Sequence, residues 1–191
     1  MVIAHPCTDS FTHALGERVR IGLAGAGHSV RTIDLYADGF RAAMSDAERE
    51  AYHGDQPVLD PLVAQYVEVV TSVDALVFVY PTWWSGLPAI LKGWLERVMV
   101  PGVGFVFDHR GKVRPGLTNI RHLVGVSTYG SPRSAVRLVN DNGRRTVTRA
   151  LRLSCGVRAR THWHGLYAID TSTPAERDEF AASVEQSMGR L

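Results

Sequence analysis

Residues 74–98 constrain the fold of this chain most, because three patterns follow one another there without a spare residue. Residues 75–80 form an unbroken apolar run rich in Val and aromatics, which predicts a strand buried on both faces of a parallel sheet. From Pro88 the apolar residues follow a helical period, and proline suits a first helical turn because its missing N–H is not needed there. Gly93 lies inside this helix at a cost of about 1 kcal/mol relative to Ala, so we expect another backbone to approach it closely.

The loop between this strand and this helix carries two adjacent tryptophans, Trp83 and Trp84. Two indoles on one tight turn do not both fit into the core, so at least one is expected to border a cavity or an interface. A planar ligand that stacks on an indole and takes hydrogen bonds from loop N–H groups would account for the pair. The loop therefore predicts one wall of a cofactor pocket, although an aromatic pair taken alone is more often ordinary packing.

Composition narrows the class of protein. With 191 residues, 45% of them hydrophobic, the chain can bury one sizeable core, and residues 1–191 are expected to form a single α/β domain. We find neither an apolar run of about 18 residues nor a signal-peptide pattern, so we expect a cytoplasmic protein without membrane insertion. A net charge of +2 with dispersed arginines gives no nucleic-acid footprint.

Cysteine and histidine spacing gives no metal-site prediction. Cys7 and Cys155 are isolated, which suggests neither a disulfide framework nor a zinc site. Cys7 also has no evident partner base for a nucleophilic role. His162 and His164 fall on one face of a predicted strand, but no third ligand accompanies them.

Strand-like and helix-like segments alternate along the chain without an internal repeat, which favours βαβ units and a parallel sheet. Five strands are predicted, at residues 1–4, 29–35, 75–80, 122–127 and 157–167. Helices are predicted at residues 11–27, 61–73, 88–98 and 135–153 (interrupted at 140–143), with capping boxes that open further helices at Ser45 and Thr173. The glycine-rich residues 101–117 predict a small hairpin or arm.

Residues 81–98, Pro-Thr-Trp-Trp-Ser-Gly-Leu-Pro-Ala-Ile-Leu-Lys-Gly-Trp-Leu-Glu-Arg-Val, resemble the signature of the flavodoxin-like NAD(P)H:quinone oxidoreductases. This family includes DT-diaphorase and ancillary subunits of bacterial potassium-efflux systems. The resemblance implies a flavodoxin-like, doubly wound sheet of five parallel strands in the order 2-1-3-4-5, with helices on both faces. Relatives have a longer first strand, whereas here three residues precede Ala4, which indicates either a short central strand or a trimmed start.

In such a sheet the loops after strands one, three and four meet at the switch point, where FMN binds in flavodoxins. The first loop enters a helix, whose free N–H groups and dipole suit a phosphate, and Ser10 is equally consistent with a plain N-cap. The resemblance to the family's Ala-His-Pro…Ser-Phe-Asn pattern implies that His5, Ser10, Phe11 and Thr12 bind flavin phosphate or pyrophosphate, with Thr12 standing where relatives often have Asn.

For the second loop the resemblance implies that the isoalloxazine ring is lined by Pro81, Thr82, Trp83, Trp84 and Ser85. Trp84 aligns with the family's aromatic residue and is expected to lie near the ring. Backbone N–H groups of this loop would reach the polar edge of the ring.

The third loop contains Ser127, Thr128, Tyr129 and Gly130, and its hydroxyl and N–H donors would bind the pyrimidine part of the flavin and stabilise negative charge there. An ordinary Gly/Ser/Pro loop is the plainer alternative. The Tyr and His proton relay proposed for DT-diaphorase has no clear counterpart, and Tyr129 is the nearest candidate for a catalytic residue.

The leading hypothesis is a homodimeric flavoprotein that holds FMN or FAD non-covalently and passes hydride from NAD(P)H to a quinone or similar acceptor in a ping-pong reaction. The resemblance places the active site near the subunit interface, partly covered by residues 101–117. One alternative is a one-electron flavodoxin-type carrier, which the +2 charge disfavours because such carriers present an acidic docking surface. Another is a flavin-binding regulatory subunit of a transporter. The sequence does not choose between FMN and FAD or between NADH and NADPH, and it does not identify the acceptor.

Overall fold

The computed structural model describes every residue from Met1 to Leu191. Seven strands occur along the chain: β1 (Val2–Ile3), β2 (Ile33–Asp34), β3 (Ala75–Pro81), β4 (Phe105–Phe107), β5 (Val113–Pro115), β6 (His122–Thr128) and β7 (Arg160–Leu166). Five of them form one parallel sheet in the order β2-β1-β3-β6-β7, while β4 and β5 pair as an antiparallel hairpin. Counted among the parallel strands alone, this is the predicted order 2-1-3-4-5, and the hairpin lies in the predicted arm.

Helices connect the strands: α1 (Phe11–Gly25), α2 (Asp46–Ala51), α3 (Pro61–Ser72), α4 (Ala89–Val98), α5 (Arg133–Leu138), α6 (Asn142–Arg145) and α7 (Pro174–Met188). After α6 the chain continues through a π-helical turn (Thr146–Ala150) and a 3₁₀ turn (Leu151–Ser154). Both predicted capping boxes are present, at the starts of α2 and α7. No helix combines the length and apolarity needed to cross a bilayer.

The sheet is buried on both faces, as the apolar run in β3 predicts. Phe78 and Tyr80 join a 24-residue core on the face covered by α3 and α4. Val77 and Val79 join an 11-residue core on the other face, against α1 and α7. Alternate residues of one strand therefore serve two cores, which explains why the run contains no polar residue.

Gly93 lies where another backbone crosses α4, which confirms the prediction. A Cβ built on Gly93 would lie 2.2 Å from the carbonyl oxygen of Ala42. The same long connection is fixed by Arg97, whose buried guanidinium donates to Glu48 Oε1 at 2.6 and 2.8 Å and to Asp60 Oδ2 at 2.7 Å. This close packing fixes the position of α4, which directly follows the aromatic loop in the chain.

The predicted ends of three strands were wrong. The first strand covers only Val2–Ile3, and the second covers only Ile33–Asp34 rather than residues 29–35, because β2 pairs with β1 alone and β1 offers just two partners. The fifth starts at Arg160 rather than at residue 157, where its pairing with β6 begins. Periodicity locates a strand, but its length depends on its partner.

Candidate functional site

The three predicted loops meet at the carboxyl ends of β1, β3 and β6. The second and third are joined by two hydrogen bonds: Thr82 N–H donates to Thr128 O, and the hydroxyls of Thr82 and Ser127 are paired, each at 2.8 Å. The first and second loops touch through the rings of His5 and Trp83, whose centroids are 5.9 Å apart. The switch point inferred from the topology is therefore one continuous surface.

The aromatic loop is a tight turn with strained backbone. Gly86 N–H donates to Trp83 O at 3.0 Å, and the two central residues, Trp84 and Ser85, have φ values of 48° and 58°. Positive φ at both central residues defines a type I′ turn, which normally takes Asn and Gly. The turn leaves the Trp84 indole fully exposed. Such strain is typical of ligand sites, because the surrounding structure must hold it in place.

A cavity of about 290 Å³ opens beside this turn. It is lined by Thr82, Trp84, Ser85, Tyr129, Gly130, Ser131, Ala135, Val136, Val139 and Asp141. Five of the predicted residues are thus brought together: Thr82, Trp84, Ser85, Tyr129 and Gly130. The volume is near the lower end of ligand sites, which are about 300–1,000 Å³.

The other predicted residues of the second and third loops lie outside this cavity. Pro81, Ser127 and Thr128 are buried, and the Ser127 hydroxyl is already paired with Thr82. Trp83 is partly exposed and turns toward His5. These residues connect the loops to one another. The cavity wall is formed by other residues of the same loops.

Side chains of the first loop pair mainly with the chain itself. Ser10 caps α1 by accepting from His13 N–H at 3.3 Å, and Ser10 Oγ lies 3.1 Å from His13 Nδ1. His13 Nε2 is 3.0 Å from Asp34 Oδ2, and His5 Nδ1 accepts from Cys7 N–H at 3.1 Å.

The remaining two predicted residues of this loop begin α1. Phe11 is half-buried against the core on that face, and Thr12 is buried. The first loop therefore offers a capped helix N-terminus and His5 rather than a row of free hydroxyls.

Asp141 is a site residue that the sequence reasoning missed. Its Oδ1 accepts from the Tyr129 hydroxyl at 3.0 Å, and the Tyr129 ring stacks on Tyr167 at 4.5 Å with 15° between the planes. Burial and then the negative charge of Asp141 raise the pKa of Tyr129, so this phenol keeps its proton. The Asn140-Asp-Asn-Gly143 run, which suits left-handed turns, was the available signal.

A larger cavity, of about 940 Å³, lies at the other end of the strands, around their amino ends. It borders the short β1 and the start of β3, where residues 75–77 pair with β6 but have no partner on the β1 side. Ligands of doubly wound sheets bind outside the carboxyl ends of the strands, so the smaller cavity is the candidate site.

The two histidines singled out on β7 contact other side chains. His162 Nε2 lies 3.2 Å from His122 Nδ1, and His164 Nε2 lies 3.2 Å from Ser187 Oγ. Burial lowers the pKa of both rings, and the neighbouring imidazoles lower it further. Both histidines therefore pack against neighbouring side chains at β7, the edge strand of the sheet.

Known proteins share this fold and parts of this sequence. NAD(P)H dehydrogenase [quinone] 1 of Rattus norvegicus is 30% identical over 146 residues, covering 69% of this chain and 53% of its own. An uncharacterized NAD(P)H oxidoreductase of Haemophilus influenzae is 30% identical over 132 residues, covering 69% of this chain and 63% of its own. The chain thus spans less than two thirds of either relative.

A solved structure matches the full chain, and a family model matches all but its last residue. The crystal structure of Smu.1420 from Streptococcus mutans superposes with a TM-score of 0.84 at 26% identity, covering 100% of this chain and 97% of that one. The model of the family described as having a flavodoxin-like fold matches residues 1–190. The chain therefore belongs to the flavodoxin-like fold family.

Proposed function

We propose that this protein is a flavin-dependent NAD(P)H oxidoreductase that reduces quinones or similar acceptors by ping-pong hydride transfer. The observation that carries the proposal is the meeting of three loops at the switch point around a cavity with an exposed indole. The rat relative is named as an NAD(P)H dehydrogenase for quinones and the Haemophilus relative as an NAD(P)H oxidoreductase, which supports an NAD(P)H-dependent oxidoreductase. FMN and FAD are both compatible with this site.

The residues present fit a flavin. The exposed face of Trp84 provides a stacking surface, and Thr82, Ser85 and Gly130 provide polar groups around the same cavity. The amino end of α1, a 15-residue helix capped by Ser10, provides free N–H groups and a favourable dipole for a phosphate. These are the residues that would hold the ring and the phosphate.

A bound flavin would supply the redox chemistry, so the chain needs no nucleophile of its own. The turn at Trp84 and Ser85 presents the indole beside the cavity, where a planar ring could stack on it. Tyr129 keeps its proton and directs it to Asp141, so that hydroxyl orients a carboxylate rather than releasing a proton at neutral pH.

Homodimerisation is part of the proposal, because large apolar side chains lie exposed, some of them at the cavity. Leu138 ends α5 and Val139 lies next to it in the cavity wall, and Phe107 and Val113 are exposed on the hairpin. A second copy covering Leu138 and Val139 would also cover the ring site. Light scattering of the purified protein tests this, with twice the chain mass expected.

We also propose a cytoplasmic location. NAD(P)H would be available there, and both cysteines are free thiols, which suits a reducing compartment. Fractionation of the source cells would test the location directly.

Steady-state kinetics test the activity. NAD(P)H oxidation measured at several fixed quinone concentrations should give parallel double-reciprocal lines, as expected when the donor product leaves before the acceptor binds. A purified, flavin-loaded protein that fails to oxidise NADH or NADPH would instead support the one-electron carrier. Lack of turnover together with co-purification of a membrane transporter would support the regulatory subunit.

A further inference from the structure

The cavity beside the aromatic turn has one carboxylate in its wall and no cationic side chain. Among its ten lining residues only Asp141 is acidic, and none is Lys, Arg or His. We propose that Asp141 selects by charge the substrate ring that docks against the flavin at this cavity, favouring a nicotinamide over anionic rings. The identity of the favoured ring rests on the proposed oxidoreductase function, whereas the charge preference rests on the cavity alone.

The carboxylate is held in place from two directions. Asn140 and Asp141 have φ values of 77° and 45°, a left-handed pair that turns the chain between α5 and α6 back toward the cavity. Tyr129, 1% exposed and stacked on Tyr167, donates to Oδ1 at 3.0 Å. Oδ2 takes no hydrogen bond from the chain. Asp141 is therefore oriented but keeps one oxygen free to face a ligand.

Asp141 makes no ion pair, and no cationic side chain lines the cavity. The guanidinium of Arg133 lies over the ring of Tyr167 at 5.8 Å, and that of Arg144 lies over Trp163 at 6.0 Å, and neither arginine lines the cavity. The exposed face of Trp84, which also lines the cavity, adds a second preference for positive charge, because the face of an indole is electron-rich.

Hydride donation creates the matching charge. If the C4–H bond of a dihydronicotinamide broke, both bonding electrons and the hydrogen nucleus would pass to the flavin, which would gain one negative charge, and the donor ring would be left with a charge of +1. A fixed carboxylate beside that ring stabilises the charge as it develops. The same carboxylate repels a ring that carries a carboxylate or sulfonate, so acceptors without negative charge on the ring are the favoured substrates.

A series of three small ligands with nearly the same ring tests the preference. 1-Methylnicotinamide, methylated on the ring nitrogen, is a cation, nicotinamide is neutral and nicotinate is an anion. We would measure their dissociation constants by calorimetry on the protein as purified, with its flavin. The expected order of affinity is cation, then neutral ring, then anion. Asp141→Asn should lower the cation-to-anion affinity ratio about tenfold, equivalent to about 1.4 kcal/mol.

Asp170→Asn is the matched control. Asp170 is an exposed carboxylate close to Gly130 but outside the cavity wall, so its removal changes net charge equally and should leave the ratio unchanged. Asn tolerates left-handed backbone at least as well as Asp, so Asp141→Asn should fold, which circular dichroism will verify.

Several results would overturn the inference. They are an unchanged ratio in Asp141→Asn, an equal loss in Asp170→Asn, tighter binding of nicotinate than of the cation, or no measurable binding of the cation. If the affinity order holds but NAD(P)H is never oxidised, the charge preference stands and the proposed function fails. If NAD(P)H is oxidised and Asp141→Asn leaves the ratio unchanged, the inference fails alone.

Discussion

The substitution Gly93→Ala separates local packing from helix propensity, because the two predict changes of opposite sign in the free energy of unfolding. Propensity favours Ala in a helix interior by about 1 kcal/mol. A Cβ at Gly93 would lie 2.2 Å from Ala42 O and 2.6 Å from Ala42 Cα, both backbone atoms, so α4 or the crossing segment must move. That segment is also held by the hydrogen bond from Arg97 to Arg41 O. Overpacking costs about 1–3 kcal/mol. Taking the upper end, we expect a net loss of about 2 kcal/mol.

Urea unfolding followed by circular dichroism measures this loss, and Tm should fall by about 4–8 °C for a chain of this size. Gly25→Ala is the control, because Gly25 ends α1 and a Cβ there meets nothing within 4 Å. We expect that control to be neutral or stabilising by up to about 1 kcal/mol. A Gly93→Ala protein more stable than the wild type would refute the packing of α4 described above.

Three further outcomes are expected. Trp84→Ala should weaken flavin binding about 2–10-fold, and more than Trp83→Ala, since Trp84 lines the cavity and stacking contributes about 0.5–1.5 kcal/mol; equal losses in a flavin titration would contradict the assigned orientation. Arg97→Met should cost about 3 kcal/mol in urea unfolding, because it leaves a buried carboxylate without its partner; a loss below about 1 kcal/mol would be inconsistent with the buried cluster. Burial holds the pKa of His162 and His164 below the ordinary value. Below about pH 6.5 the unfolded chain therefore binds more protons than the folded chain. The free energy of unfolding then falls on acidification, by up to about 1.4 kcal/mol per pH unit for each ring. His164→Gln should reduce that slope when unfolding is measured between pH 5 and 7, and an unchanged slope would remove His164 from the account.

The sequence predicted the architecture well wherever the signal was local. The apolar run of β3, the period of α4, the two capping boxes and the interruption near Asn140 all depend on neighbours within a few residues, and all are present in the structure. The close approach of another backbone to Gly93 was also predictable, because a glycine inside an otherwise strong helix indicates tight packing at that position.

Features set by distant partners were not predictable. The ends of β2 depend on how few residues β1 offers, and no period in residues 29–35 reports that. Ser127 was assigned to the flavin, yet its hydroxyl is paired with Thr82, a contact that depends on the register between β3 and β6. Asp141 reaches the cavity only because two residues adopt left-handed backbone, and composition alone shows where such a turn is permitted rather than where it points.

The absorption spectrum of the purified protein is the decisive test for a bound flavin. We expect the bands of oxidised flavin, which NAD(P)H should bleach without oxygen and a quinone should restore. Mass analysis of the released cofactor would then distinguish FMN from FAD. A protein without flavin bands that binds neither FMN nor FAD when each is added would contradict the account.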